Sequence, residues 1–301
     1  MQRSSITKLS SAFTALIIIV FGSYVIAAQT EISGTWTARE SQKSPGKLQI
    51  GFERTQGVRG QNHHSSSFDL EDLRGISRSQ IVNGRVAFSI VREAGTIECT
   101  GDFVDGRGSG TYRFIPNYGF ADGLRARGFD VDSQGRGSQS IEERLFAAAA
   151  LDVKMALADD LVSANFGKLT MGDLFKATIF KIDGRFMSEM KATGFPNLSM
   201  EDLVKARIFK IDAEFVRMVK DMGFGADNFE NLVKYSIFKV TPEFLSELRN
   251  EGLTDLGPED VVKLRIFKID AAFVRQARAE NPNATVQDIV NKKLGVWVKV
   301  K

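Results

Sequence analysis

The tripeptide Ile-Phe-Lys begins at Ile179, Ile208, Ile237 and Ile266, and each step between copies is 29 residues. No other feature constrains the fold of this chain as much. A unit that short cannot bury its apolar residues alone, so neighbouring units must stack and share a core. A second signature, Phe-x3-apolar-x3-Gly-Phe, runs in phase with the first. It reads Phe186, Met190, Gly194 and Phe195, then Phe215, Val219, Gly223 and Phe224, then Phe244, Leu248, Gly252 and Leu253. Phe273, Ala277 and Asn281 continue it until Pro282 intervenes. Upstream, Leu157, Leu161, Asn165 and Phe166 are a worn copy on the same period. Phe120, Leu124, Gly128 and Phe129 are another, displaced by eight additional residues.

Each unit reads as two short helices. Thr170, Ser199, Asn228 and Gly257 share the column before the first helix, and all are favoured N-cap residues. Asp183, Asp212, Thr241 and Asp270 cap the second, and Pro258 and Pro242 stand just inside their helices, where no N–H is needed. Gly194, Gly223 and Gly252, with Asn165 and Asn281 in the same column, predict a left-handed residue ending the second helix. Phe215, Met218, Val219 and Met222 lie on one face, with Phe186, Phe215, Phe244 and Phe273 turned inward. Leu203, Val204, Ala206, Ile208 and Phe209 leave the first helix apolar on several sides. Such a helix needs several neighbours, which predicts an α-solenoid of helix-turn-helix repeats over 145–295.

Two lysine columns accompany the repeat. Lys176, Lys205, Lys234 and Lys263 stand in register with Glu201, Glu230 and Glu259, and Glu201–Lys205, Glu230–Lys234 and Glu259–Lys263 predict i,i+4 pairs. Lys181, Lys210, Lys239 and Lys268 fall at helix C-termini. They read either as cations favoured by the helix dipole or as a stripe for an anionic partner. Phe180, Phe209, Phe238 and Phe267 admit the same division, between packing of one unit on the next and an aromatic ladder for peptide capture. These eight residues are the candidate partner-binding set.

The preceding segment has a different grammar. "GTWTAR", "KLQIGFER", "RVAFSIVRE", "TIECTGDFV" and "GSGTYRFI" alternate in part and are separated by turn residues, with "DGRG" at 105–108 as a hairpin turn. Ser67 and Phe68 add a sixth strand, and "DLEDLRGIS" a turn or short helix. The fold class expected is α+β multidomain, a small antiparallel β-sandwich or open barrel followed by the solenoid. The expected divisions are a signal or anchor at 1–28, the β-module at 29–116, a connecting segment with a divergent half-repeat at 117–144, the helices at 145–295 and a tail at 296–301.

The chain has 301 residues, 43% hydrophobic and 26% charged, which excludes both a disordered chain and a polytopic membrane protein. Arg3 and Lys8 precede the apolar run from Ala12 to Ala28, the pattern of a secretory signal or, uncleaved, of an anchor over residues 9–28. Export to the periplasm or beyond is expected, with membrane contact only through that segment. Without Arg3 and Lys8, 38 basic residues face 37 acidic ones, so there is no electrostatic case for nucleic acid. Cys99 is the only cysteine, which excludes an intrachain disulfide, and its strand context predicts burial. His63 and His64, in "QNHHSSS", are expected in a solvated loop with no third ligand for a metal. No nucleophile–base pair, P-loop or His-Glu-x-x-His motif is present, so no catalytic residue, cofactor or metal is expected and the chain reads as non-enzymatic.

"EDLVKARIFKID" (201–212) and "VTPEFLSELRNEGL" (240–253) resemble helical repeats of exported bacterial proteins. Similar repeats form the soluble tails of β-lactam-sensing, antirepressor-type membrane zinc metallopeptidases. "FSIVREAGTIECTGDF" (88–103) is similar to the β-module that precedes the repeats in the exported proteins. The resemblance implies an envelope location and a sensory or partner-binding role. It implies no peptidase activity, because the His-Glu-x-x-His motif is missing. The function expected is an exported scaffold that recognises a protein or peptide through its helical repeats. The alternative is a sensor or carrier whose β-module holds a small ligand; a carboxylate-based hydrolase ranks below both.

Overall fold

The computed structural model describes residues 32–41, 44–54, 63–132, 139–165, 167–223 and 225–296. The expected signal or anchor at 1–28, the tail beyond Val296, and Phe166 and Phe224 lie outside them.

Alternating apolar residues build a single antiparallel sheet of seven strands. These are β1 (Ile32–Glu40), β2 (Lys47–Arg54), β3 (His63–Asp69), β4 (Leu73–Arg74), β5 (Gly84–Arg92), β6 (Gly95–Val104) and β7 (Arg107–Pro116). Their order is β3-β2-β1-β7-β6-β5-β4. Because β1 pairs with β2 on one side and β7 on the other, all strands join one ladder. The result is a curled half-barrel, not a sandwich of two sheets. Asp105 and Gly106 both have positive φ, 49° and 74°, as a two-residue turn between twisted strands requires. His63 and His64 are not in a loop. They open edge strand β3, opposite Glu53 and Phe52, because backbone pairing to β2 overrides a polar, loop-like composition.

Twelve helices follow among the described residues: α1 (Tyr118–Ala126), α2 (Ile141–Ala150), α3 (Met155–Ser163), α4 (Met171–Phe180), α5 (Gly184–Ala192), α6 (Met200–Ile208), α7 (Ala213–Asp221), α8 (Phe229–Phe238), α9 (Pro242–Asn250), α10 (Pro258–Ile266), α11 (Ala271–Glu280) and α12 (Val286–Lys293). Helices two apart touch: α4 meets α6, α8 meets α10 and α10 meets α12 in one row, while α1 meets α3, α3 meets α5 and α9 meets α11 in the other. The expected caps form. Ser199 accepts from Asp202 N while Asp202 accepts from Ser199 N, and Asp183, Asp212 and Asp270 accept from Phe186, Phe215 and Phe273. At Gly257 only the Asp260 half of the box exists, since glycine has no side-chain oxygen.

Helix α2, one period upstream of α4, lies in the concave side of the sheet and contacts β1, β3, β6 and β7. Phe146 packs on Phe52, Tyr112 and Phe114, and Leu145 and Ala148 to Ala150 are buried with it. Arg54 of β2 pairs with Glu143 at its N-terminal turn. The sheet core and the helical core are therefore continuous.

Two residue-level expectations need correction. Phe186 and Phe244 are buried, but Phe215 and Phe273 are only half-buried. Arg207 lies 3.7 Å over the Phe186 ring and Arg265 lies 4.1 Å over that of Phe244, whereas Ser236, in the same column, has no guanidinium to lay over Phe215; Phe273 has the slimmer Lys293 ammonium at 4.6 Å and stays half-buried. Asn165 is left-handed, with φ of 52°, and Gly194, Gly223 and Gly252 have φ of 100°, 90° and 80°. Asn281 has φ of −142°. Pro282 follows it, and the residue before a proline is driven to extended backbone.

Candidate functional site

The string Ile-Phe-Lys-Ile-Asp spans the corner between the two helices of a unit, and each letter has a separate task. Along the second copy, Ile208 ends α6 and Phe209 is half-buried. Lys210 then takes a left-handed conformation, φ 54°. That turn lets Ile211 donate its N–H to Ala206 O at 2.8 Å and tuck its side chain into the core. Asp212 caps α7. The 6→1 bond closed by a left-handed residue and an apolar follower is a Schellman ending. The other corners repeat it: Ile182 donates to Ala177, Val240 to Tyr235 and Ile269 to Leu264.

Lys181, Lys239 and Lys268 match Lys210, with φ of 54°, 52° and 51°. A non-glycine residue in this region is disfavoured by roughly 1 kcal/mol or more. All four lysines are exposed, and among the described residues they make no ion pair or side-chain hydrogen bond. A helix C-terminus alone does not account for them, because the column ending the second helices faces the same dipole and carries glycine or asparagine. Beside the lysines, Ile179, Ile208, Ile237 and Ile266 are 55%, 53%, 47% and 48% exposed. Phe180, Phe209, Phe238 and Phe267 are half-buried against the core. The structure thus brings all eight candidate residues to the corners and adds four exposed isoleucines, of which Ile208 counts among the apolar residues that call for neighbours. In the last turn the phenylalanine, not the isoleucine, points inward. A four-fold column of exposed isoleucines was visible in the repeat itself; only its direction was not.

The other lysine column is structural, but not as expected. Lys205 pairs with Glu230 at 2.6 Å and Lys234 with Glu259 at 2.5 Å, and Lys176 meets Glu201. These bonds run between consecutive units, not within one helix. The glutamate of each first turn faces the lysine of the preceding unit because the first helices stack side by side. Arg207 donates to Lys181 O at 2.7 Å and Arg265 to Lys239 O at 3.0 Å, while Ser236 donates to Phe209 O. Lys220, Arg249 and Arg278 donate likewise to Thr193, Met222 and Gly252, at 2.9, 2.9 and 2.8 Å. Sequence reading missed these bridges, which join residues about one period apart.

One corner differs. Between α2 and α3 the column positions are Ala150, Leu151, Asp152, Val153 and Lys154, so the order of charges is reversed. Asp152 keeps the left-handed backbone, φ 57°, and Val153 the buried follower's place. The turn between β5 and β6 sits on this corner. Arg92 approaches Asp152 at 3.2 Å, Glu93 accepts the Met155 N–H at 2.8 Å in place of a side-chain cap, and Ala94 is fully buried. Arg92 also bonds Asp72 at 2.8 Å, which holds the Asp72 carboxyl below its usual range.

Hollows on the sheet lie elsewhere. Thr37, Arg39, Gln49 and Arg107 line one of about 610 Å³, and Ser33, Glu98, Thr100 and Arg113 line another of about 530 Å³. Cys99 is buried in the core, which pushes its thiol far above the ordinary range. Among the described residues no cluster of three His, Cys, Asp or Glu is placed to hold a metal, and no helix is long and apolar enough to cross a membrane. Comparison of the chain with models of known families, with characterised proteins and with solved structures returns no match in any of the three.

Proposed function

We propose that this chain is a non-enzymatic binding scaffold, exported by its N-terminal segment, that recognises a protein or peptide through an α-solenoid of 29-residue repeats. One observation carries the reading: four consecutive corners present the same exposed isoleucine and unpaired, conformationally costly lysine. Side chains that repeat outward, where the fold would prefer others, favour a task outside the fold. Solenoids serve recognition because stacked units offer a long regular surface. The basic residues and apolar run of the N-terminal segment fit an envelope role, as does the resemblance read in the repeat strings. The carrier alternative needs an enclosed apolar pocket inside the sheet, where α2 packs against β1, β3, β6 and β7, and the hollows elsewhere on the sheet are lined largely by polar residues.

A photo-crosslinking residue placed in turn at Ile208, at Arg217 on α7 and at Thr37 on the sheet tests the reading in envelope preparations. Crosslinks to a protein from Ile208 or Arg217 support it. Crosslinks from Thr37 alone transfer recognition to the β-module.

A further inference from the structure

We infer that the Ile-Phe-Lys ridge takes an acidic, partly apolar protein segment, seated where the α2–α3 corner takes the chain's own β5–β6 turn. The inference rests on the scaffold reading above and specifies its ligand. The chain contains one occupied example of the corner. There a left-handed Asp152 faces the cationic Arg92, Lys154 stands beside it at 2.6 Å, and the small apolar Ala94, two residues after Arg92 in the same turn, is fully buried. At the four other corners the residue in the Asp152 position is lysine, and the Lys154 position holds Asp183, Asp212, Thr241 or Asp270. Those aspartates are committed to backbone N–H groups at 2.8 Å each, and Thr241 caps α9 in the same way. The ammonium groups have no such commitment among the described residues. Inverting the charge of the corner inverts the charge of what it receives, so a carboxylate replaces the Arg92 guanidinium. Ala150, at the end of the helix that packs on the sheet, is 3% exposed, whereas its equivalents Ile179, Ile208, Ile237 and Ile266 are about half exposed. An apolar neighbour to the carboxylate would cover them. Regular spacing then selects a segment that offers this pair repeatedly rather than a single acidic side chain.

The test titrates a fluorescein-labelled random copolymer of glutamate and tyrosine with the full chain and follows anisotropy. Binding is expected at low salt and falls as salt rises. Replacing Lys181, Lys210, Lys239 and Lys268 together by Gly removes the charges while giving the backbone its preferred residue, so the fold is not the casualty. This variant should bind roughly ten- to a hundredfold more weakly, as expected for about one exposed ion pair per corner. Lys→Asn at the four sites is the second variant, since asparagine also tolerates the left-handed region. Lys→Asp at the same sites, which copies Asp152, should move binding to a copolymer of lysine and tyrosine. Polyglutamate without tyrosine should bind more weakly than the mixed copolymer. Unchanged binding by the Gly and Asn variants overturns the inference. So does a loss confined to anionic phospholipid vesicles, measured as the difference between wild type and variant because residues 1–28 are common to both. If crosslinks run from Ile208 or Arg217 while the Gly variant binds the copolymer as wild type does, the scaffold stands and this chemistry falls. Crosslinks from Thr37 alone remove both.

Discussion

Lys210 occupies backbone space that glycine would hold at lower cost, and Gly223, on the other side of the same unit, holds it without strain. The two positions predict opposite outcomes for opposite changes. Lys210→Gly should raise stability by about 1 kcal/mol, because the relief of the left-handed residue exceeds the few tenths lost from the dipole. Gly223→Ala should lower it by about 1 kcal/mol. An added methyl at Gly223 meets no atom within 4 Å, so the loss is conformational and not steric. Urea midpoints at constant slope check both. At this scale the sequence was half legible. Glycine and asparagine announce a left-handed residue by their type, and lysine does not. The Lys205–Glu230 bond was hidden because its register belongs to the stacking of units, while the sequence shows only the nearer Glu201.

The helices and their caps could be read almost entirely from spacing, since nearly every cap is a local bond between residues two or three apart. Which face each helix buries could not, because that depends on the neighbouring unit. Phe244 lies under Arg265, and Phe215 has only Ser236 in the matching column. Phe244→Ala should therefore cost about 3–4 kcal/mol and Phe215→Ala about 1–2, by chemical denaturation. Equal losses would show that the cation does not decide burial. Ser236→Arg should gain about 0.5–1 kcal/mol by laying a guanidinium over Phe215 and exchanging the Phe209 carbonyl for that of Lys210, the counterpart of the Lys181 and Lys239 carbonyls that Arg207 and Arg265 hold. Helix α2 was the least legible element. Its run of four alanines gives no amphipathic signal, and its partner, the concave sheet, lies in another part of the chain.

For the whole molecule, the seam between sheet and helices is itself core, so the two parts expected to be separable share one hydrophobic cluster. A fragment of residues 29–116 should aggregate or remain a loosely ordered collapsed state, because Phe52, Tyr112 and Phe114 lose their cover. Extending it to 165, which restores α2 and α3, should give a cooperative thermal transition. A fragment starting at 140 should in turn bind an apolar dye through its exposed α2. The same seam is sensitive to alkali. Burial pushes the phenol of Tyr112, and that of Tyr235 in the helices, up to about 12. An unfolded tyrosine ionises near pH 10, so the unfolded state binds fewer protons above that value and stability falls between pH ~10 and ~12. Each phenol contributes up to about 2 kcal/mol of that fall, and Tyr112→Phe should remove its share from a pH series of unfolding curves. The backward direction of the bridges has a last consequence, for synthesis. Arg207, Ser236 and Arg265, like Lys220, Arg249 and Arg278, each satisfy carbonyls of the unit before their own. A chain emerging N-terminus first cannot complete a unit until the next one is out, so the growing end always trails one pair of helices whose ends are still bare, and maturation follows emergence with a lag of 29 residues.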